Sequence, residues 1–292
     1  SFIVSRGCPF NCSFCFNDQQ RKMYSGLGKY VRFRSPESIA EEGVHVRKKH
    51  GMKLASFEDD LLSLDHDWLA DMATLWKQKV DIPFNINVRA PDMLDRDLVD
   101  LLKETGVHSV AFGVESGSEK IRTELLGNRI TNEELLEAAK ILNDRGIKFM
   151  TYNMLGLPDE TFEDALETIN LNRKMGVSLA RVTMFRPYPG TALWNKISDK
   201  VRTGEPFTEM MFGDSRMEQE DSAAISRLQK LAILGIKSDI SLELLGRLAR
   251  LPLSPPYQMA FWASYFKVVT RYMNLPPWWL FKTGLRSMVD FW

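Results

Sequence analysis

From Phe2 to Trp194 one pattern recurs six times: a short β-branched or apolar run, a turn, then an amphipathic helical stretch that stops near glycine. The runs predict strands at Phe2–Val4, Lys53–Phe57, Phe84–Val88, Ser109–Val114, Lys148–Leu155 and Leu179–Phe185. Strands alternating with helices at this spacing predict parallel βαβ units. Helix punctuation agrees. Ser35-Pro36 reads as a cap followed by proline in the first turn, and Thr131–Glu134 and Thr161–Asp164 read as capping boxes, the second with aspartate. Gly106, Gly146 and Gly176 fall where helices must stop and reverse. Leu135, Ala138, Ala139 and Leu142 form a stripe that reads as core packing. In the third strand Phe84, Ile86 and Val88 share one face, and Asn85, Asn87 and Arg89 share the other, which predicts a polar pocket on the inner side. Beyond residue 200 the pattern is helical without strand alternation, so the chain divides into 1–199, a barrel-like unit, and 200–292, a helical region.

Composition narrows the class. At 292 residues, 44% hydrophobic and 26% charged, with 38 basic against 38 acidic side chains, the chain is an ordinary globular protein without the basic excess of a dedicated nucleic-acid binder. No signal-peptide pattern precedes the cysteines and no run of about eighteen apolar residues occurs, so a cytoplasmic setting is expected. The chain starts at Ser1, with a strand already leading into the cysteines, as expected for a piece of a longer protein. His45, His50, His66 and His108 lack His-x-x-x-His spacing, and neither a Gly-x-Ser-x-Gly elbow nor a phosphate-binding P-loop is present.

The chemistry sits in Arg6–Phe16, where Cys8, Cys12 and Cys15, the only cysteines, stand as C-x₃-C-x₂-C. A disulfide framework wants an even count, and a closed metal site usually wants four ligands. Three clustered thiolates therefore point to a metal centre with an open position, and soft thiolates select zinc, Cu(I) or iron–sulfur. A zinc knuckle completed by a distant histidine such as His45, or three unrelated thiols, are the alternatives.

This spacing resembles that of the radical S-adenosylmethionine superfamily. The resemblance covers about residues 2 to 194 and implies a partial (βα)6 TIM-like barrel, an α/β fold, here with a C-terminal helical extension. It implies that Cys8, Cys12 and Cys15 hold a [4Fe–4S] cluster whose free iron takes S-adenosylmethionine, with Phe14 against the adenine. An external one-electron reductant then feeds the cluster, the sulfonium C–S bond breaks, and a 5′-deoxyadenosyl radical abstracts hydrogen from substrate. Further cofactor contacts follow from matching positions: Asp59 and Asp60 in Glu58-Asp-Asp60, Arg89, and Glu115 in Gly113-Val-Glu-Ser-Gly117. Arg129 matches the carboxylate-pairing arginine, with Arg122 as its substitute, and Asn153 or Tyr152 reaches from the fifth strand. Tyr152–Pro158 followed by Asp159-Glu-Thr161 is similar to a Gly-Leu-Pro-Gly-Glu-Thr turn, with Asp159 in place of glycine. Arg186–Thr191 resembles a Pro-x-Pro-Gly-Thr segment of cobalamin-binding members and of transfer-RNA methylthiotransferases. The helical C-terminal region favours the cobalamin type, with cobalamin carried by a domain upstream of this chain. A non-catalytic iron–sulfur or zinc module is the alternative of another class.

The tail adds a charge asymmetry. Residues 223–292 hold nine Lys/Arg against Asp239, Glu243 and Asp290, a net +6, together with Phe261, Trp262, Tyr265, Phe266, Trp278, Trp279, Phe281, Phe291 and Trp292. Tryptophans among basic residues predict peripheral contact with the inner face of a membrane and a lipid-like substrate. The competing expectation is a helical cap whose aromatics pack on the barrel.

Overall fold

The computed structural model describes residues 1–201, 217 and 220–273. Two short strands, β1 (Ser5–Arg6) and β2 (Arg32–Phe33), pair antiparallel and bracket helix α1 (Phe16–Met23). The chain continues through α2 (Pro36–His50), β3 (Ala55–Ser56), α3 (His66–Lys79), β4 (Phe84–Asn87), α4 (Arg96–Thr105), β5 (Val107–Glu115) and α5 (Asn132–Asp144). It then forms β6 (Lys148–Leu155), α6 (Phe162–Met175), β7 (Leu179–Met184) and α7 (Trp194–Ile197), followed by α8 (Ser222–Lys237), α9 (Leu242–Arg250) and α10 (Ser254–Met273). β3 to β7 make one parallel sheet in chain order. The sixth position is occupied by Phe2, which joins β3 through a parallel bridge to Phe57 rather than a full strand. Two backbone bonds hold it there, Phe2 N to Ser56 O at 2.8 Å and Glu58 N to Phe2 O at 2.9 Å. The architecture is the expected partial TIM-like barrel with a helical C-terminal region.

The helix ends use the chemistry read from the sequence. Thr131 and Thr161 each complete a reciprocal capping box, and Ser35 Oγ accepts from Ser38 N at 3.3 Å. Gly106 and Gly176 end α4 and α6 in the left-handed region. Asp159 also adopts a positive φ of 59°, a conformation aspartate tolerates better than most residues.

The core lies between the sheet and the helix layer, where Phe2, Phe57, Trp76 and Phe84 form an edge-on aromatic cluster. Trp76 is fully buried, and its indole N–H donates to Ile82 O at 2.8 Å, so its one polar atom is paired. Gly43 lets α2 close on α3, since a Cβ there would stand 2.6 Å from the Trp76 ring.

The lower end of the barrel is closed by the tail. Tyr272 Oη donates to Ser109 Oγ at 2.6 Å, which donates to Asn85 Oδ1 at 2.7 Å. Lys148 Nζ donates to Tyr272 O at 2.9 Å, a cation at the C-terminal end of α10. Tyr257, Phe261 and Tyr272 are buried, so the described part of the tail packs as a helical cap. Trp278, Trp279, Phe281, Phe291 and Trp292 lie outside the described residues. No described helix is long and apolar enough to cross a membrane.

Candidate active site

A loop of cysteines has too few apolar side chains to hold its own shape, so contacts from distant segments must fix it. Three of them do. Asp59, buried at the end of β3, accepts through Oδ1 from Val4 N (2.9 Å), Ser5 N (2.5 Å) and Ser5 Oγ (2.8 Å). Ser13, between the second and third cysteines, donates through its backbone N–H to Leu126 O (3.0 Å) and through Oγ to Leu125 O (2.6 Å), and accepts from Leu193 N (2.8 Å). Leu125 ends a π-helical turn (Ile121–Leu125), a distortion often found at functional sites. Tyr30 lies over Gly7, where a Cβ would meet its ring at 2.9 Å and where φ is +85°. The Tyr30 hydroxyl donates to Asn17 Oδ1 at 3.0 Å, and Asn17 Nδ2 donates to Cys15 Sγ at 3.6 Å.

The three thiols are partly buried and unbridged. Burial pushes Cys12 up to about 12, and the neighbouring charges of Cys15, Glu115 and Cys8 push the same way. Cys8 is raised for the same leading reason. A group of thiols that resists ionisation through desolvation and mutual repulsion is relieved by an iron-bearing cationic centre, so the donor set fits a cluster. Among the described residues no three His, Cys, Asp or Glu side chains converge on one point as around a single ion. His45 is exposed on α2.

Beside the loop, at the C-terminal ends of the strands, a cavity of about 320 Å³ is lined by Glu58, Asp59, Asp60, Asn87, Glu115 and Tyr152, with Val88, Ala111, Phe112 and Gly113. That end of a parallel sheet is where loops gather function. Glu115 follows a register shift between β5 and β6 and has φ +65°, rare for glutamate, so the bulge re-aims its side chain. The carboxyl folds back over Gly113, where a Cβ would lie 2.0 Å from Oε1. Gly117 fits against α6, where a Cβ would lie 2.4 Å from backbone, and its N–H donates to Thr168 Oγ1 at 2.7 Å. Desolvation deep in the cleft pushes the Glu115 carboxyl up to about 8. Its side chain nevertheless borders the cavity, so the carboxyl is available to a ligand. Arg89 covers the Phe10 ring at 3.8 Å, and its charge favours the ionised forms of Cys8 and Cys12. Four carboxyls and no cationic side chain line this chamber, and Asp60 and Glu115 lie near enough for their charge to act on Cys8 and Cys12.

The sequence signature of the radical SAM superfamily matches residues 2–171. The chain belongs to that superfamily. It is 34% identical over 193 residues to an uncharacterized methyltransferase of Pyrococcus horikoshii, covering 66% of this chain and 40% of that protein. It is 28% identical over 199 residues to the anaerobic magnesium-protoporphyrin IX monomethyl ester cyclase of Rubrivivax gelatinosus, covering 68% and 34%. The chain thus spans well under half the length of these relatives. The radical S-adenosylmethionine methyltransferase TsrM of Kitasatospora setae, solved with cobalamin and a [4Fe–4S] cluster, has TM-score 0.60 at 15% identity over 93% of this chain and 60% of that one. Methylornithine synthase gives 0.54 at 16% identity over 80% and 60%. At such identities the likeness speaks for the fold. The chain is therefore a radical SAM enzyme domain, and the cofactors of its family are a [4Fe–4S] cluster and S-adenosylmethionine.

Against that family the expected residues fall into three groups. Cys8, Cys12, Cys15, Arg89, Asp60 and Glu115 are brought together, the last three close enough for charge to act on the thiols. Phe14 packs with the small cluster of Ile121, Leu126 and Leu193 behind the loop. Asp59 shares the cavity wall, but Oδ1 is spent on the backbone of the loop, and only Oδ2 is buried without a partner. The last group lies outside the cavity lining. Asn153 points away from the cavity: its Nδ2 donates to Thr151 Oγ1 at 3.0 Å and its Oδ1 accepts from Asn172 of α6 at 2.7 Å. Strand alternation is the reason, because Tyr152 takes the interior face and donates to Asn87 Oδ1 at 3.2 Å. Arg122 is fully buried, donating to Ile130 O, Ser116 O and Asn132 Oδ1 as a strut of the loop after Glu115. Arg129 is exposed and makes no ion pair among the described residues. Ser13 and Tyr30 were not foreseen, since Ser13 is a variable position of the cysteine run, Tyr30 belongs to no local motif, and their partners lie far along the chain or depend on loop closure.

Proposed function

We propose that this chain is the catalytic barrel of a cobalamin-type radical SAM enzyme that transfers a methyl group, or rearranges its substrate, after reductive cleavage of S-adenosylmethionine. The observation that carries the reading is the acid-rich cavity directly against the cysteine loop. S-adenosylmethionine brings a sulfonium and an ammonium against one carboxylate, and a lining with four carboxyls and no cation suits that balance. Cys8, Cys12 and Cys15 would hold the cluster, which when bound supplies an electron to the sulfonium. The work of the chain is positioning. Asp59 and Ser13 fix the loop, Glu115 and Asn87 offer hydrogen bonds to ribose hydroxyls, and the unpartnered Oδ2 of Asp59 with Asp60 receives the ammonium. Arg129, exposed on the loop before α5, is assigned the cofactor carboxylate from its match to the family pattern.

Support for the cobalamin type comes from relatives described as methyltransferases and from a likeness in fold to a cobalamin-bound one. The described part of the C-terminal region is helical, which favours this reading over a methylthiotransferase. Peripheral membrane attachment and a lipid-like substrate rest on the net +6 of residues 223–292, whereas the cavity wall around Glu115 is polar. The test is anaerobic reconstitution of the full-length protein, with iron and sulfide analysis and S-adenosylmethionine plus dithionite, with and without hydroxocobalamin. About four irons per chain and 5′-deoxyadenosine are expected, with a cobalamin spectrum in the protein fraction. About one zinc without labile sulfide overturns the enzyme reading, and absence of bound cobalamin overturns the subtype. Arg129→Ala should weaken S-adenosylmethionine binding at unchanged iron content.

A further inference from the structure

The stretch between Asp18 and Glu37 carries Arg21, Lys22, Lys29, Arg32 and Arg34 and not one acid. Three of these charges are compensated: Arg21 and Lys22 pair with Asp18 at 2.8 and 2.6 Å, and Arg34 with Glu42 at 2.5 Å. Lys29 and Arg32 are exposed and form no salt bridge among the described residues. Asp65 and Asp67 share a shallow depression with Lys29 and bound the basic face on that side. Between the cations stand Met23, Tyr24 and Leu27, which are 75%, 55% and 73% exposed. Large apolar side chains ringed by charge are an arrangement found at contact surfaces rather than on idle ones.

The same flap is the outer wall of the cysteine loop. β2 pairs with β1 immediately before Gly7, and the Tyr24 and Tyr30 rings stack with centroids 6.5 Å apart. Tyr30 covers Gly7, and its hydroxyl reaches Asn17, which reaches Cys15 Sγ. None of the flap's residues lines the interior cavity, which is walled by Glu58, Asp60, Glu115 and their neighbours. A macromolecule seated on the flap thus comes close to the cysteines without entering the substrate chamber. We propose that the flap of residues 22–32 is the docking face for an acidic one-electron carrier protein of the flavodoxin or ferredoxin class. Lys29 and Arg32 meet its carboxylates, and Met23, Tyr24 and Leu27 form the dry centre of the contact. One electron leaves the reduced carrier and is accepted at the centre held by Cys8, Cys12 and Cys15, so the carrier is oxidised by one electron and no proton moves. This rests on the cluster reading above.

The test is Lys29→Glu/Arg32→Glu in the full-length protein, residues that touch neither cavity nor cysteines. Calorimetry with oxidised flavodoxin should show affinity about tenfold weaker than for the unaltered protein and a steep salt dependence lost in the variant. Cleavage of S-adenosylmethionine driven by reduced flavodoxin at subsaturating concentration should fall by about the same factor, while the dithionite-driven rate stays unchanged. Unchanged affinity overturns the proposal, including the case in which another part of the protein covers the flap. A parallel fall of the dithionite rate overturns it too, by placing the residues inside the chemistry. No cleavage by the unaltered protein in either arm would instead count against the cluster reading, and the calorimetric arm still decides the docking face.

Discussion

Asp59 holds the cysteine loop with one oxygen and is proposed to receive the cofactor ammonium with the other, and substitution separates the two roles. Oδ1 accepts three hydrogen bonds from the start of the cysteine loop, and Oδ2 is buried and unpartnered beside the cavity. Asp59→Ala removes all three acceptor contacts and strands two backbone N–H groups that face no water. Leaving buried donors unsatisfied costs about 1–3 kcal/mol each, and relaxation of the loop returns part of that, so a loss of about 3–5 kcal/mol is expected. At about 2.1 cal/mol/K per residue the unfolding entropy of a chain this size is about 0.6 kcal/mol/K, so Tm should fall by about 5–8 °C. Asp59→Asn keeps a carbonyl oxygen at Oδ1 and replaces Oδ2 by an amide that donates. It should hold Tm within about 2 °C and retain the iron, yet weaken S-adenosylmethionine binding by about tenfold or more, because a donor now faces an ammonium. The assays are differential scanning fluorimetry of the chain without cofactors, iron analysis after reconstitution, and equilibrium dialysis with S-adenosylmethionine. An Asp59→Ala protein that melts with the unaltered one would refute the latch. An Asp59→Asn protein with full cofactor affinity would refute the role given to Oδ2.

Two further outcomes follow from the same geometry. Gly113→Ala puts a methyl 2.0 Å from where Glu115 Oε1 sits, so the carboxyl must swing out of place; cofactor binding should weaken as much as in Glu115→Ala, with no further loss in the double variant, and additive losses in dialysis would show that the two residues act separately. Glu160 is buried, and although Gly156 and Leu157 donate to its Oε2, desolvation outweighs these bonds and lifts the carboxyl to about 8. A folded-state pKa above the unfolded value means that its stabilisation is complete below about 4.5 and is lost as pH rises through about 8. Thermal melts between pH 5 and 9 should therefore decline more in the unaltered protein than in Glu160→Gln, and equal slopes would contradict the assignment.

Much of the fold was legible because it is written in periods. Alternation of two and of three to four residues, with Thr131, Thr161 and the glycines at helix ends, fixes the element types without knowledge of neighbours. The cysteine triplet was legible because ligand chemistry needs only residue types and spacing. The polar face of β4 was legible for the same reason as the strands, although Asn85 turned out to serve the closed lower end rather than the cavity.

What the sequence could not contain is which side of a bulge a residue takes and which distant segment completes a loop. Asn153 faces α6 rather than the cavity because the register shift between Gly113 and Glu115 and strict alternation in β6 gave the interior to Tyr152. Arg122 was drawn into the protein by three carbonyl acceptors that exist only once the turn after Glu115 has closed. Asp59 became a clasp because Val4 and Ser5 arrive beside β3 only when Phe2 has joined the sheet edge, and Ser13 became an anchor because Leu125 and Leu193 meet it across the barrel mouth. Local sequence sets the elements and the spacing of the three cysteines, since those depend on near neighbours; the partners of each polar atom are set by long-range closure, since a buried donor or acceptor takes whatever group the fold brings within about 3 Å.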